Sequence, residues 1–253
     1  MIRIPAPIPM APLRALLLVV LASSAPLPLL AQDAEGPFSP PRWWAELDLL
    51  AAAPQGAFGE RVDDAWGFLL GGRFLPRREG PLALRLDVGL MRYGDESRQV
   101  CLPAPIGCRV GARIDTNNEI YLVGAGPELQ GWGGRLYAFA TLGASIFSTN
   151  SSLSGLDDDE AVLSTTNQQD AVLALRGGAG VRIPLKGGPT PIRLELGAEY
   201  HRNGTAEYLV EGDLVDNPDG SITIYPNRTE ANVLAFRIGV SFGIGSGPEG
   251  GEG

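Results

Sequence analysis

Lysine and histidine are nearly missing from this chain: Lys186 is the single lysine and His201 the single histidine, among nineteen arginines and 29 acids. The net charge is −9, and it becomes −11 once a leader holding Arg3 and Arg14 but no acid is removed. A nucleic acid needs a clustered basic surface, so no nucleic-acid partner is expected. One histidine and two cysteines leave nothing from which to assemble a Ser/His/Asp or Cys/His set by spacing, and no catalytic residue, metal ligand or cofactor site is assigned. Beyond the leader no stretch approaches the roughly 18 apolar residues of a membrane helix. No helical period and no repeat of about 20 to 50 residues appears either.

The N-terminus has a definite order. Arg3 and Arg14 precede the apolar run "ALLLVVLA", and "SSAPLPLLAQDA" then brings small residues to a cleavage point near Ala31. Charged, apolar and cleavable segments in that sequence make a secretory signal, so residues 1–31 are assigned as a signal peptide and the protein as exported. Residues 32–42 form a proline-rich spacer. Cys101 and Cys108 bracket "CLPAPIGC", and in an exported chain such a pair predicts a local disulfide. Residues 245–253, "GSGPEGGEG", are a flexible acidic tail.

Between spacer and tail the side chains alternate. "LALRLDVGL", "PIRLELGAEYH" and "VLAFRIGVSF" interleave apolar residues with charges or glycine, and a period of two belongs to a β-strand. Eight such segments are predicted, near 43–53, 65–76, 81–93, 117–130, 135–149, 170–185, 190–203 and 230–244. Each is long enough to cross a bilayer at a tilt, which takes about 9 to 11 residues. Tight turns ("PRREG", "GWGG", "KGGPT") alternate with long loops near 54–64, 94–116, 150–169 and 204–229. "NPDG" within the last loop predicts a turn, and a hairpin that lengthens strands seven and eight. The expected fold is all-β: an eight-stranded antiparallel up-and-down barrel over 43–244, with short turns at one end and long loops at the other.

Two barrels fit this pattern. A soluble lipocalin-like barrel buries its apolar face around a ligand, whereas a transmembrane barrel turns that face to lipid. The polar face carries Glu46, Asp48, Arg73, Arg85, Asp87, Glu128, Arg135, Arg176, Arg182, Arg193, Glu195, Glu199 and Arg237, interspersed with glycines such as Gly178, Gly180 and Gly197. In a membrane these charges must face inward, because an arginine at mid-bilayer costs about 2 to 4 kcal/mol. Seven arginines against six acids suit the tight interior of an eight-stranded barrel, where an unpaired charge is costly. Glycine leaves room for guanidinium arms, while on a soluble barrel's exterior it merely weakens strands. The transmembrane reading is preferred, with a charge-filled, plugged lumen. Strand five is ambiguous in phase, since Tyr137, Phe139 and Phe147 share its inner face, and Pro127 interrupts strand four.

The leader, the segment "GPELQG…RLYAFATLGASIF" and the last strand "LAFRIGVSF" resemble the small eight-stranded outer-membrane β-barrels of Gram-negative bacteria, OmpA-like and OmpX-like. The resemblance implies a cell outer-membrane location, short turns and termini in the periplasm, and long loops outside. It implies outer-membrane lipid and lipopolysaccharide as surroundings and a monomeric barrel. Phe236, Ile238, Val240 and Phe242 resemble the C-terminal signal read by the barrel-assembly machinery. Some barrels of this kind modify lipid A, and one places His and Ser two apart on a strand; here "HRN" puts Asn203 where that Ser stands. A non-enzymatic structural or surface-interaction role is therefore expected. Asp157, Asp158, Asp159 and Glu160 make an acidic loop tip without EF-hand spacing. Trp43, Trp44, Trp66, Trp132, Tyr93 and Tyr200 are assigned to aromatic girdles.

Overall fold

The computed structural model describes residues 39–101, 111–155, 161–217 and 222–245. The signal segment, the acidic tip 157–160, Cys108 with the expected Cys101–Cys108 bridge, and most of the tail lie outside the described residues. Seven strands follow the apolar alternation: β1 (Trp43–Pro54), β2 (Ala65–Phe74), β3 (Leu82–Cys101), β4 (Gly111–Gly131), β5 (Leu136–Gly155), β6 (Ala161–Lys186) and β7 (Ile192–Asn203). A one-turn helix, α1 (Gly56–Gly59), lies between β1 and β2. After β7 come four short strands, β8 (Thr205–Tyr208), β9 (Leu214–Asp216), β10 (Ile222–Ile224) and β11 (Asn227–Glu230), and then β12 (Val233–Ile244).

The ladder closes on itself in the order β1-β12-β7-β6-β5-β4-β3-β2, with β1 antiparallel to both β12 and β2. Eight barrel strands therefore leave no free edge within the barrel wall. The short connections use the residues such bends require. In the β4–β5 turn, Gly133 and Gly134 have positive φ, and the Gly134 N–H donates to the Gly131 carbonyl at 3.0 Å. Pro127 stands opposite Leu84 of β3, while on its other side the β4–β5 pairing passes from Ala125–Leu142 to Glu128–Phe139. The ladder skips a residue that has no N–H to give.

Two of the expected long loops are largely strand. β3 and β4 stay paired from Leu82–Leu129 to Cys101–Gly111, and β5 and β6 from Leu136–Val181 to Ser154–Ala161. The neighbours stop earlier, β2 at Trp66–Arg92 and β7 at Ala174–Asn203. A four-stranded sheet thus stands above the rest of the wall. Both of its faces leave the apolar environment, so its sequence loses the oily stripe and with it the period-two signal. Cross-strand polar pairs replace it: Thr116 with Ser151 at 2.8 Å, Thr149 to Asn118 at 2.6 Å and Asn167 to Ser151 at 2.6 Å. The "NPDG" hairpin also differs from expectation. β9 pairs with β10 and β8 with β11 as separate two-stranded ribbons. The β8 ribbon does not lengthen β7 and β12; it folds inward, burying Ala206 and Tyr208 in the barrel's core.

Candidate functional site

Strand parity decides what each side chain meets. On β3, Arg85 is 2 % and Asp87 0 % exposed, while Leu86 between them is 54 % exposed. The same alternation leaves Leu47 and Leu49, Phe68 and Leu70, Leu173 and Leu175, and Phe236 and Ile238 uncovered. A lipocalin-type barrel has the opposite arrangement, so the soluble reading is overturned. The outward run from Trp66 to Phe74 rises about 20 Å at a tilt near 40°, close to the ~25 Å apolar band of membrane barrels. Trp43 and Trp132 project at the short-turn end, and Trp66, Tyr121 and Tyr200 near the long-loop end. Just above Tyr121, Arg92 pairs with Glu119 at 2.8 Å and the Tyr121 hydroxyl donates to the same carboxylate at 2.8 Å. Trp44 and Tyr93, expected in the girdles, are buried: their positions have inward parity.

The lower part of the lumen is ionic. Glu46 of β1 is its hub, approached by Arg73 of β2, Arg85 of β3 (2.9 Å), Arg237 of β12 (3.2 Å) and Arg182 of β6 (3.8 Å). Glu128 receives Arg73, Arg85 and Arg182 at 3.3, 3.0 and 2.9 Å, and Glu195 receives Arg73 and Arg182 at 3.2 and 3.0 Å. Asp48 holds Arg237 at 2.5 Å, and Asp87 holds Arg85 at 2.8 Å and Arg176 at 3.5 Å. Glu199 takes Arg237 at 3.4 Å and His201 Nε2 at 2.5 Å. Each guanidinium that serves two or three carboxylates offsets the desolvation that isolated buried charges suffer. Arg135 and Arg193, assigned from sequence to this network, lie elsewhere. Both are only half-buried; Arg135 precedes β5 in the turn, and Arg193 enters at the foot of β7, where its guanidinium lies 4.2 Å over the Trp44 ring.

The aromatic residues that blur the phase of strand five point inward and serve the cations. Arg182 stands 4.0 Å from the Tyr137 ring and Arg85 4.7 Å from that of Phe139, within cation–π range. Glycine makes this possible. A Cβ at Gly197 would lie 2.5 Å from the Tyr137 hydroxyl, one at Gly178 2.8 Å from the Phe139 ring, and one at Gly124 2.6 Å from Arg176.

Toward the long-loop end the inner face turns apolar. Leu50, Leu69, Met91, Ile120, Leu122 and Phe147 are buried there. Phe58, carried by α1, drops between Tyr93, Phe147 and Tyr208 with ring centroids 5.7, 6.0 and 4.8 Å away, each in edge-to-face geometry. Such pairs favour an ordered stopper over a fluid one. The sequence reading missed this tier, although one signal was present: inner-parity residues change from charged to apolar along β1, β3 and β4. His201 faces the lumen with no exposure, out of reach of lipid. Asn203 beside it accepts from Ser145 at 2.7 Å and donates to the Ala231 carbonyl at 2.6 Å. Among the described residues no group of three or more His, Cys, Asp or Glu is arranged to hold a metal ion. Phe236, Ile238, Val240 and Phe242 share the outer face of β12, between β1 and β7.

No protein-family model matches this chain, and no curated protein matches it. Among solved structures it is similar to Ail, the attachment invasion locus protein of Yersinia pestis, in complex with the heparin analogue sucrose octasulfate, at 13 % identity over 80 % of this chain and 98 % of that one, with a TM-score of 0.42. Neisserial surface protein A follows at 12 % identity, 80 % and 97 % coverage and a TM-score of 0.41. A major outer membrane protein from Thermus thermophilus has 11 % identity, 79 % and 98 % coverage and a TM-score of 0.36. These are likenesses of fold.

Proposed function

We propose that this chain is an integral outer-membrane β-barrel protein with a non-conducting lumen, serving as a surface-interaction and membrane-stabilising element and not as a pore or an enzyme. One observation carries the reading: a closed barrel with leucines outside and ion-paired arginines inside, stoppered by Phe58 and Tyr208. Lipid covers the outer belt, and a lumen filled with side chains leaves no aqueous path. Residues 1–31 direct export. The outer stripe of Phe236, Ile238, Val240 and Phe242 is the strand signal for the barrel-assembly machinery, and the barrel works as a monomer. The short turns face the periplasm. The tall β3–β6 sheet, closed at its tip by a Cys101–Cys108 bridge, stands among lipopolysaccharide outside. The absence of a lipid-facing histidine argues against lipid A chemistry.

The test is fractionation of expressing cells with gels of unboiled and boiled samples, followed by planar-bilayer recording. The expected result is outer-membrane recovery, a heat-dependent mobility shift and no steady conductance. Recovery in the soluble periplasm overturns the membrane reading, and stable open channels overturn the plugged lumen.

A further inference from the structure

At the short-turn mouth, beneath the ionic tier, lies a cavity of about 330 Å³ that the barrel reading does not use. Among prolines, glycines and Leu75, its walls present the indoles of Trp44 and Trp132, the guanidiniums of Arg78 and Arg193, and one acid, Glu79, among the described lining residues. Two of its features suit a ligand. Arg193 is the first. Each arginine of the ionic tier has a carboxylate partner, whereas among the described residues Arg193 has none within ion-pair distance. Its guanidinium lies 4.2 Å over the Trp44 ring and donates one long contact, 3.5 Å, to the Gly134 carbonyl. Gly134 lets it approach, since a Cβ there would lie 3.0 Å from Arg193 Nη1.

Trp132 is the second. It is 79 % exposed and holds φ at +48° in a turn whose other two left-handed positions are glycines. Glycine or asparagine takes that conformation more readily than a bulky residue. Strain retained at an exposed indole points to use of the ring.

We infer that this cavity binds an anionic sugar, a single pyranose carrying a carboxylate or a phosphate. A guanidinium fork suits either anion, and an indole face suits the apolar face of a pyranose. The volume lies at the low end of ligand pockets, which fits one ring. Arg78, anchored by donation to the Pro40 carbonyl at 2.7 Å, adds a second positive charge at the rim. Because the cavity lies among the short turns at the barrel's foot, away from the apolar belt, a soluble or polymer-borne glycan reaches it in preference to a bilayer lipid.

The experiment uses the full barrel folded in a zwitterionic detergent without a sugar headgroup. Tryptophan fluorescence is titrated with sodium glucuronate, glucose 6-phosphate, glucose and inorganic phosphate. At least one anionic sugar is expected to give a saturable change, with glucose and inorganic phosphate each about tenfold weaker or more. Arg193→Gln should weaken binding about tenfold, and Trp132→Ala should weaken it measurably while keeping the heat-dependent gel shift. Trp132→Ala keeps the proposal testable if Arg193→Gln does not fold, because the indole supports no core. No saturable change, unchanged affinity in a folded variant, or inorganic phosphate binding as tightly as the sugars overturns the proposal. None of these outcomes bears on membrane location.

Discussion

Replacing Glu46 by Gln asks how dry the lumen is. The substitution preserves shape and one carbonyl acceptor but removes a charge surrounded by Arg73, Arg85, Arg182 and Arg237. A unit pair at 3 Å is worth about 5 kcal/mol at an effective dielectric of 20, and removing one partner of a buried pair costs about 3 to 5 kcal/mol. In a water-filled lumen the same contacts are worth about 0 to 1 kcal/mol. The assay is urea unfolding in phospholipid vesicles, followed by tryptophan fluorescence and the gel shift. For an m-value of about 2 kcal/mol/M, the expected midpoint shift is about 1.5 to 2.5 M. Adding Arg73→Gln should recover at least about 1 kcal/mol relative to the sum of the single changes, because the pair couples directly. A Glu46→Gln midpoint within about 0.5 M of the parent, with additive double-mutant behaviour, refutes a desolvated ionic core.

Three further outcomes follow from the same geometry. Leu86→Arg, on the outer belt between Arg85 and Asp87, should cost about 2 to 4 kcal/mol in vesicles, measured by the same unfolding curve; a neutral effect contradicts lipid contact. Gly197→Ala should destabilise by about 1 to 3 kcal/mol through the Tyr137 hydroxyl and, less closely, the Ala179 carbonyl, and Tyr137→Phe in the same chain should return part of that loss; equal destabilisation with and without the hydroxyl refutes the hydroxyl's share. Phe58→Ala removes the stopper ring and should cost about 3 to 5 kcal/mol, with faster hydrogen exchange over residues 55–62; exchange as slow as in the parent would mean that α1 is held by something else.

Much of the wall was legible because the membrane imposes a strict contrast between faces. Arg85 and Asp87 flanking Leu86 leave no choice of side, and the same parity locates Glu46, Asp48, Glu195 and Arg237. At the ends of strands the contrast fails. Arg135 and Arg193 have the right parity but sit at the short-turn mouth, where lumen gives way to solvent. Along 94–101 and 161–169 the ladder continues, yet Ser164 and Asp95 give no hydrophobic period because neither face is oily. Phe58 was illegible for another reason: its partners Tyr93, Phe147 and Tyr208 come from three distant segments, and only the closed ladder brings them together.

The unequal strand heights give this cylinder a front and a back. β3 to β6 climb past the level at which β2 and β7 stop pairing, so the outer rim is a bulwark over one half and a low sill over the other. Rotation about the membrane normal, immaterial to an even-walled barrel, therefore changes what a neighbour encounters. Crosslinking partners should map to one azimuth.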